Sequence, residues 1–156
     1  MTPLFLRNLL FTILLPGVVV GYIPYVIVRD DLDLNFQFRG VEQYAGILIL
    51  LTGLIILLDC IRRFAVEGRG TLAPVDPTKK LVVNGLYRFS RNPMYLGVMT
   101  ILTGEAVFFR SSSLWIYLLV VFIVFNLFIA FIEEPRLRRD FGAEYGEYCQ
   151  RVRRWI

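Results

Sequence analysis

Long apolar runs dominate this chain and restrict it to folds that shield them from water. Three runs, residues 4–28, 44–61 and 114–132, are each near the ~20 residues that a membrane-spanning helix needs. A fourth run, residues 94–109, is shorter and is interrupted by Glu105. With 56% hydrophobic residues in a chain of 156, a soluble domain of this size is disfavoured. The sequence therefore predicts a single all-α integral membrane domain, residues 1–156, with about four transmembrane helices.

The positive residues are distributed unevenly around these runs. Arg29, Arg39 and Arg110 fall on one side, and the other Lys and Arg residues fall on the opposite side. Because cytoplasmic loops are enriched in Lys and Arg, both termini and the connection over residues 62–91 are predicted to be cytoplasmic. The net charge of +4 fits an anionic lipid surface better than nucleic acid, since the basic residues flank the runs. We expect a plasma or inner membrane protein, or one of the endoplasmic reticulum in a eukaryote.

The first run is expected to remain as a span. Its apolar part exceeds the ~7–15 residues of a signal peptide, and no small-x-small cleavage site follows it. Pro16, Gly17 and Pro24 predict a kink in this span.

Residue types that are rare or missing exclude several chemistries. Cys60 and Cys149 form no CxxC pair and both fall on the predicted cytoplasmic side, so no disulfide framework is expected. The chain has no histidine, which removes His-ligated zinc, Ser-His-Asp hydrolysis and proton transfer by imidazole. No metal site is predicted. Any catalytic group must be Glu, Asp, Arg, Tyr, Asn or the substrate itself.

The tail after residue 133 carries apolar residues at three- and four-residue steps. They are Leu137, Phe141, Tyr145, Tyr148, Val152 and Trp155. This spacing places them on one helical face, with Arg, Asp and Glu opposite. It predicts a C-terminal amphipathic helix at the cytoplasmic interface, whose aromatic face could also close a pocket against the bundle.

Asn92 and Pro93 have the residue types of a helix start. Asn is favoured as an N-cap and Pro at the first helical position. The pair predicts that the third span begins at the cytoplasmic membrane edge, with its free N–H groups available to an anion. Arg88 and Arg91 would strengthen such a site, although arginines near a span also extend to lipid phosphates.

Glu133 and Glu134 are two adjacent carboxylates at the predicted end of the fourth span. There they would face the negative pole of the helix dipole, which costs roughly 0.3–1 kcal/mol per charge. Pro135 is expected to end the span and let the carboxylates turn inward. An ion-pair network without a ligand is the alternative to a cationic ligand. The candidate partners are Arg88, Arg91, Arg138 and Arg139.

Two further acidic residues lie inside the runs, where ionisable groups are candidates for function. Asp59 is three and four residues before Arg62 and Arg63, so a local ion pair explains it. Glu105 is expected to pair with Arg110 or to cap the turn of a helical hairpin at residues 110–113.

Asn126 is the polar residue of the fourth run. It is expected about two helical turns from Glu133, close enough to the inner face to line a pocket. We treat it as a candidate substrate-binding residue, with a hydrogen bond between helices as the alternative.

Two stretches, GRGTLAPVDPTKKLVVNGLYRFSRNPMYLG and EEPRLRRDFGAEYGEYCQRVRRW, carry a family resemblance. Their combined pattern is Gly-x-Tyr-x-x-x-Arg-x-Pro-x-Tyr, a pair of spans, then Glu-Glu and Phe-Gly-x-x-Tyr-x-x-Tyr. It resembles the isoprenylcysteine carboxyl methyltransferase family, whose wider group includes membrane phospholipid N-methyltransferases. The resemblance covers residues 67–155.

The resemblance implies S-adenosylmethionine as methyl donor, with S-adenosylhomocysteine as product, bound at the cytoplasmic side. It also implies a lipid or lipid-modified acceptor. Glu134, Arg91 and Asn92 become the candidate catalytic residues. One wall of the cofactor site would comprise Gly85, Tyr87, Arg91, Asn92, Pro93 and Tyr95, and the other Glu133, Glu134, Tyr145 and Tyr148.

One position departs from the family pattern, because many members have His where this chain has Asn92. A proton-transfer role for that imidazole therefore does not carry over. Methyl transfer is a direct displacement, for which positioning and exclusion of water supply much of the acceleration. A carboxylate acceptor needs no base, whereas an amine would need one, for which Glu134 is the candidate. Carboxyl O-methylation is favoured; phospholipid amine methylation and a non-catalytic membrane protein are the alternatives.

Overall fold

The computed structural model describes residues 16–29, 40–67 and 80–156. Within these ranges the chain is helical and has no β-strand, which confirms the predicted all-α class. The helices are α1 (Ile23–Val28), α2 (Val41–Val66), α3 (Pro93–Phe109), α4 (Ser112–Phe128) and α5 (Glu134–Arg151). π-helical turns precede α1 and α5, at Val18–Tyr22 and Ile129–Glu133, and a 3-10 turn, Gly85–Arg88, precedes α3.

The four predicted runs correspond to four apolar helical segments. Two are long and apolar enough to cross a membrane, Val41–Phe64 and Ser112–Arg151, and two are shorter, Val18–Val28 and Pro93–Phe109. In the first segment the π-helical turn lies between Gly17 and Pro24, the two places near which a kink was predicted. The start of the first run, most of the outer loop and residues 68–79 of the connection lie outside the described residues.

Helices α2 and α3 pack as an antiparallel pair with their backbones in direct contact. Gly46 faces Gly104 and Gly53 faces Gly97. A Cβ atom on Gly53 would lie 2.6 Å from the amide nitrogen of Ile101 and 2.8 Å from the Gly97 carbonyl oxygen. Small residues at such positions let apolar helices approach closely. This contact places the start of α3, and the residues before it, against the end of α2.

The hairpin predicted at residues 110–113 is present between α3 and α4. Arg110 takes the left-handed conformation with φ 53°, and its N–H closes the last turn of α3. The Ser111 side chain caps α4 by accepting a hydrogen bond from the Leu114 N–H at 3.4 Å. The hairpin returns the chain so that α4 runs toward the start of α3.

The helix continues past Pro135, so the prediction that this proline ends the span was wrong. The π-helical turn Ile129–Glu133 leads directly into α5, where Pro135 occupies the first turn. A proline there needs no intrahelical N–H bond, which removes the reason for termination. The dipole argument also changes, because helical turns continue through Glu133 and Glu134, so neither carboxylate lies at the end of a helix.

The predicted amphipathic helix is present as α5 but changes direction at Gly142. This residue has φ 49° and ψ −120°, a conformation that favours glycine. On its apolar face Tyr145 and Tyr148 are buried and Leu137 and Phe141 are partly buried, whereas Val152 and Trp155 lie beyond the end of the helix. The cluster comprises Leu137, Phe141, Tyr145, Tyr148 and Val152, together with Leu81 and Cys149.

Candidate functional site

The site forms where the segment before α3 meets the junction of α4 with α5. Tyr87, in the 3-10 turn, is buried, and its carbonyl oxygen accepts a 2.6 Å hydrogen bond from the hydroxyl of Tyr148. Burial raises the pKa of the Tyr87 hydroxyl, so this group keeps its proton at neutral pH. The two predicted walls are therefore brought together at Tyr87 and Tyr148.

Gly85 begins the 3-10 turn with φ 62°, a left-handed conformation that glycine adopts without strain. A Cβ atom there would overlap the Arg63 guanidinium. Arg63 is held in turn by Asp59 at 2.8 Å and by Glu67 at 3.0 Å. The local ion pair predicted for Asp59 is thus confirmed with Arg63, and Gly85 has a structural reason to be glycine.

Arg91 connects the two halves of the site. Its Nη1 lies 3.2 Å from Glu134 Oε1, 3.4 Å from the Tyr145 hydroxyl and 2.8 Å from Cys149 Sγ. Its Nε–H is buried and has no hydrogen-bond partner within the described ranges. Arg91 was among the predicted partners of the Glu pair, and this contact is confirmed.

Glu134 is also held by an arginine that sequence reasoning missed. Arg154 donates from Nε to Oε1 and from Nη2 to Oε2, both at 2.9 Å. These hydrogen bonds to Glu134 raise the pKa of Arg154. The side chain of Glu134 is only 11% exposed, so both of its oxygens are occupied by guanidinium groups in a largely dry environment.

Glu133 lies next to this network and has a different partner. Its Oε2 accepts a 2.6 Å hydrogen bond from the Tyr95 hydroxyl, which is short, as expected for a bond to a carboxylate. The Tyr95 ring packs edge-on against Phe125 of α4, with 4.7 Å between centroids. Tyr95 therefore ties the first turn of α3 to the α4–α5 junction.

Asn92 stands at the N-cap position of α3, with Pro93 following it, but its side chain does not cap the helix. The Asn92 Nδ2 group instead donates to the carbonyl oxygen of Arg154 at 3.0 Å. The capping role expected for Asn92 was therefore wrong, because the chain end offers a competing acceptor. The first-turn N–H groups of α3 receive no side-chain cap from it.

Residues 152–156, which we call the C-terminal strap, follow α5 and cross the site. The Arg91 backbone N–H donates to the Arg153 carbonyl oxygen at 3.0 Å, and the Ser90 hydroxyl donates to that of Arg154 at 3.3 Å. The Trp155 indole N–H donates to Asn126 Oδ1 at 3.2 Å. The predicted alternative for Asn126, donation of a hydrogen bond to another helix, was wrong, because its Nδ2 group donates to the Phe122 carbonyl oxygen of its own helix at 2.8 Å. The basic run RVRRW was the available sequence signal for the strap.

Glu105 does not behave as predicted. Its Oε2 is buried and has no partner in the described part of the chain, while Arg110 lies 3.7 Å from Glu42 at the start of α2. The expected pairing of Glu105 with Arg110 was wrong because Arg110 is at the turn, beyond the end of α3, and meets α2 instead. Glu105 lies away from the Arg91–Glu134 pair.

An open cleft of about 520 Å³ adjoins the site. Tyr148 lines this cleft, so it links the cleft to the network around Tyr87 and Arg91. The other polar lining residues are Asn84, Arg88, Glu144, Glu147 and Arg151. The lining thus offers both charge signs, an amide, an aromatic ring and, from Leu81, Val83 and Val152, apolar surface.

Two plant proteins are similar to this chain over most of its length. A probable protein-S-isoprenylcysteine O-methyltransferase of Oryza sativa subsp. indica is 32% identical over 117 residues, 70% of this chain and 58% of that protein. Protein-S-isoprenylcysteine O-methyltransferase B of Arabidopsis thaliana is 32% identical over 123 residues, 74% of this chain and 61% of that protein. The chain thus spans less than two thirds of the length of either plant relative.

A shorter relative and a family comparison complete this picture. An uncharacterized protein of Haemophilus influenzae is 36% identical over 63 residues, which cover 40% of this chain and the whole of that protein. No solved structure matches the chain. Residues 41–144 match the phospholipid methyltransferase family. The chain therefore belongs to the phospholipid methyltransferase family, and its resemblance to the isoprenylcysteine O-methyltransferases is confirmed.

Proposed function

We propose that this chain is an integral membrane methyltransferase that uses S-adenosylmethionine and acts on a lipid-like acceptor. Its family and its plant relatives support methyl transfer. The observation that carries the proposal is the contact between Arg91 and Glu134, which joins two motifs 43 positions apart in the sequence. A buried, charged and partly aromatic site at the end of an apolar bundle suits a polar cofactor and a lipid substrate.

Membrane integration is part of the proposal. Helices α2 and α4 expose large apolar side chains, among them Leu48, Ile55 and Ile116 at 66%, 68% and 65%, which acyl chains would cover. We propose that α1 and α3 complete a bundle of four spans. The arginine distribution supports a cytoplasmic location for both termini and for the site.

The residues of the site fit S-adenosylmethionine, which supplies a methyl group activated on a sulfonium sulfur. The Arg91 Nε–H, which has no partner among the described residues, and the first turn of α3, which has no side-chain cap there, suit the cofactor carboxylate. Glu133 and Glu134 suit its ammonium group and ribose hydroxyls. Tyr145 and Tyr148 offer aromatic surface for the adenine and the sulfonium, and Gly85, Tyr87, Pro93 and Tyr95 shape the facing wall.

The hydrogen bonding of Glu134 favours carboxyl O-methylation over amine methylation. Both oxygens of Glu134 already accept from guanidinium groups, and Glu133 accepts from Tyr95. In this arrangement Glu134 is held between cations rather than placed to remove a proton from an amine, and Oε2 of Glu133 is occupied by Tyr95. A carboxylate acceptor needs no base, so the site's role is to bind, orient and exclude water.

A saturable interaction with the cofactor tests the proposal directly. We expect purified protein in lipid nanodiscs to bind S-adenosylhomocysteine in the micromolar range, on the order of 8 kcal/mol, measured by calorimetry. Absence of saturable binding, with no methyl transfer to any lipid extract, would leave the alternative of a non-catalytic membrane protein.

The family description favours a second acceptor class, the amine of a phospholipid, with Glu134 as the base. Radiolabelled methyl groups separate the two chemistries, since alkali releases a methyl ester as methanol and leaves an N-methyl group on the lipid. We expect alkali-labile label. Label that survives alkali would assign amine methylation.

A further inference from the structure

The C-terminal strap covers the residues to which we assign catalysis and substrate binding. Its contacts reach the Arg91 backbone, the Asn92 amide, the Glu134 carboxylate and the Asn126 side chain. The Trp155 ring also packs on Phe122 of α4, with 5.6 Å between centroids. Three residues of the strap, Arg153, Arg154 and Trp155, therefore occupy polar groups that a ligand in the proposed site would need.

The Arg154–Glu134 pair has the form of an internal ligand. The Arg154 side chain is 36% exposed, whereas that of Glu134 is 11% exposed, so a cation from the surface reaches a buried carboxylate. Arg91 shares Oε1 of the same carboxylate at 3.2 Å. One negative charge thus already faces two positive ones, and a further cation at Glu134 would meet repulsion from both guanidinium groups.

We propose that the strap is a gate, in which Arg154 occupies the place on Glu134 that the ammonium group of the cofactor takes. This inference rests on the proposed function. Cofactor binding then requires Arg154 to leave Glu134, while Arg91 stays and keeps the buried carboxylate paired. Val152 packs in the buried cluster beside α5 and stays in place, so release concerns residues 153–156, whose described contacts with the site are hydrogen bonds and the Trp155 ring contact.

Substitution of Arg154 distinguishes a gate from a fixed wall. If closed and open forms compete, Arg154→Ala removes the closed form's advantage, and we expect the dissociation constant for S-adenosylhomocysteine to fall roughly fivefold or more. Arg153→Ala is the matched control, because it removes the same charge from an exposed side chain and keeps the backbone carbonyl. It should leave affinity unchanged. Size-exclusion profiles and unfolding midpoints of both variants verify that they fold.

Each possible result of the binding measurements either supports the gate or overturns it. Unchanged affinity in Arg154→Ala would overturn the gate, and weaker affinity would overturn it by making Arg154 a positioning residue for Glu134. Failure of the wild type and both variants to bind would instead overturn the proposed function, and the gate with it.

The emission of Trp155 reports strap movement independently. In a Trp115→Phe background only Trp155 remains, and saturating S-adenosylhomocysteine should shift its emission maximum to longer wavelength as the indole leaves Phe122 and Asn126. In Arg154→Ala we expect the longer-wavelength emission before ligand is added. An emission maximum that stays fixed at saturating ligand would overturn the gate.

Discussion

Replacing Glu134 with glutamine is expected to weaken S-adenosylhomocysteine binding roughly 100-fold and to reduce methyl transfer at least as much. The amide keeps the shape of the side chain but removes the negative charge that faces both Arg91 and Arg154. Two guanidinium groups are then left close together with no carboxylate between them, which disfavours a further cation. Equilibrium binding and radiolabelled methyl transfer measure the two effects.

The control for this variant is Glu42→Gln. Glu42 pairs with Arg110 at 3.7 Å and is 53% exposed, at the opposite end of α3 from Asn92. The Glu42→Gln substitution also removes one carboxylate and should leave cofactor binding and methyl transfer unchanged. Wild-type binding by a folded Glu134→Gln protein would remove Glu134 from the proposed site.

Replacing Gly53 with alanine is expected to destabilise the protein by about 1–3 kcal/mol. The new Cβ would lie 2.6 Å from a backbone nitrogen of α3, and backbone cannot move aside as a flexible side chain can. Helices α2 and α3 must separate, which also displaces the segment that carries Arg91. The midpoint of denaturant- or heat-induced unfolding in detergent measures the loss.

The matched control is Gly146→Ala in α5. Within the described ranges no atom lies within 4 Å of a Cβ atom at this position, so alanine should be neutral or slightly stabilising through its higher helix propensity. Equal stability of Gly53→Ala and wild type would show that the α2–α3 contact is looser than the structure indicates.

Much of the fold follows from hydropathy and local residue types. The bounds of α3 and the hairpin at Arg110 follow from an apolar run that ends at a polar turn. The run that becomes α4 was found, but its end was not. A proline after a span usually stops a helix, and here the π-helical turn Ile129–Glu133 lets α5 continue past Pro135.

The glycine contacts of α2 with α3 could not be predicted from the sequence, for a different reason. Gly46 and Gly53 are seven residues apart, as are Gly97 and Gly104, but a spacing within each helix does not reveal how two helices are aligned. That alignment depends on tertiary packing, which local patterns do not encode.

The part of the site that could be predicted from the sequence is the contact between two motifs of opposite charge. The unfavourable Glu133–Glu134 pair required a cation, and Arg91 was among the candidates. Arg154 was not predicted, because helical periodicity indicates only the apolar residues of the tail. Arg154 also lies beyond the end of α5, where that periodicity no longer applies. The residue types of Asn92 and Pro93 predict a side-chain cap on α3. In the structure the Asn92 side-chain amide binds the carbonyl oxygen of Arg154, which is distant in sequence, instead.

Photolabelling with an azido-adenosine analogue of S-adenosylmethionine tests the central claim, that the two motifs form one cofactor site, most directly. We expect label on peptides covering residues 80–95 and 134–152, and we expect S-adenosylhomocysteine to prevent it. Saturable label confined to α1 or α2, or label that S-adenosylhomocysteine does not displace, would contradict the account.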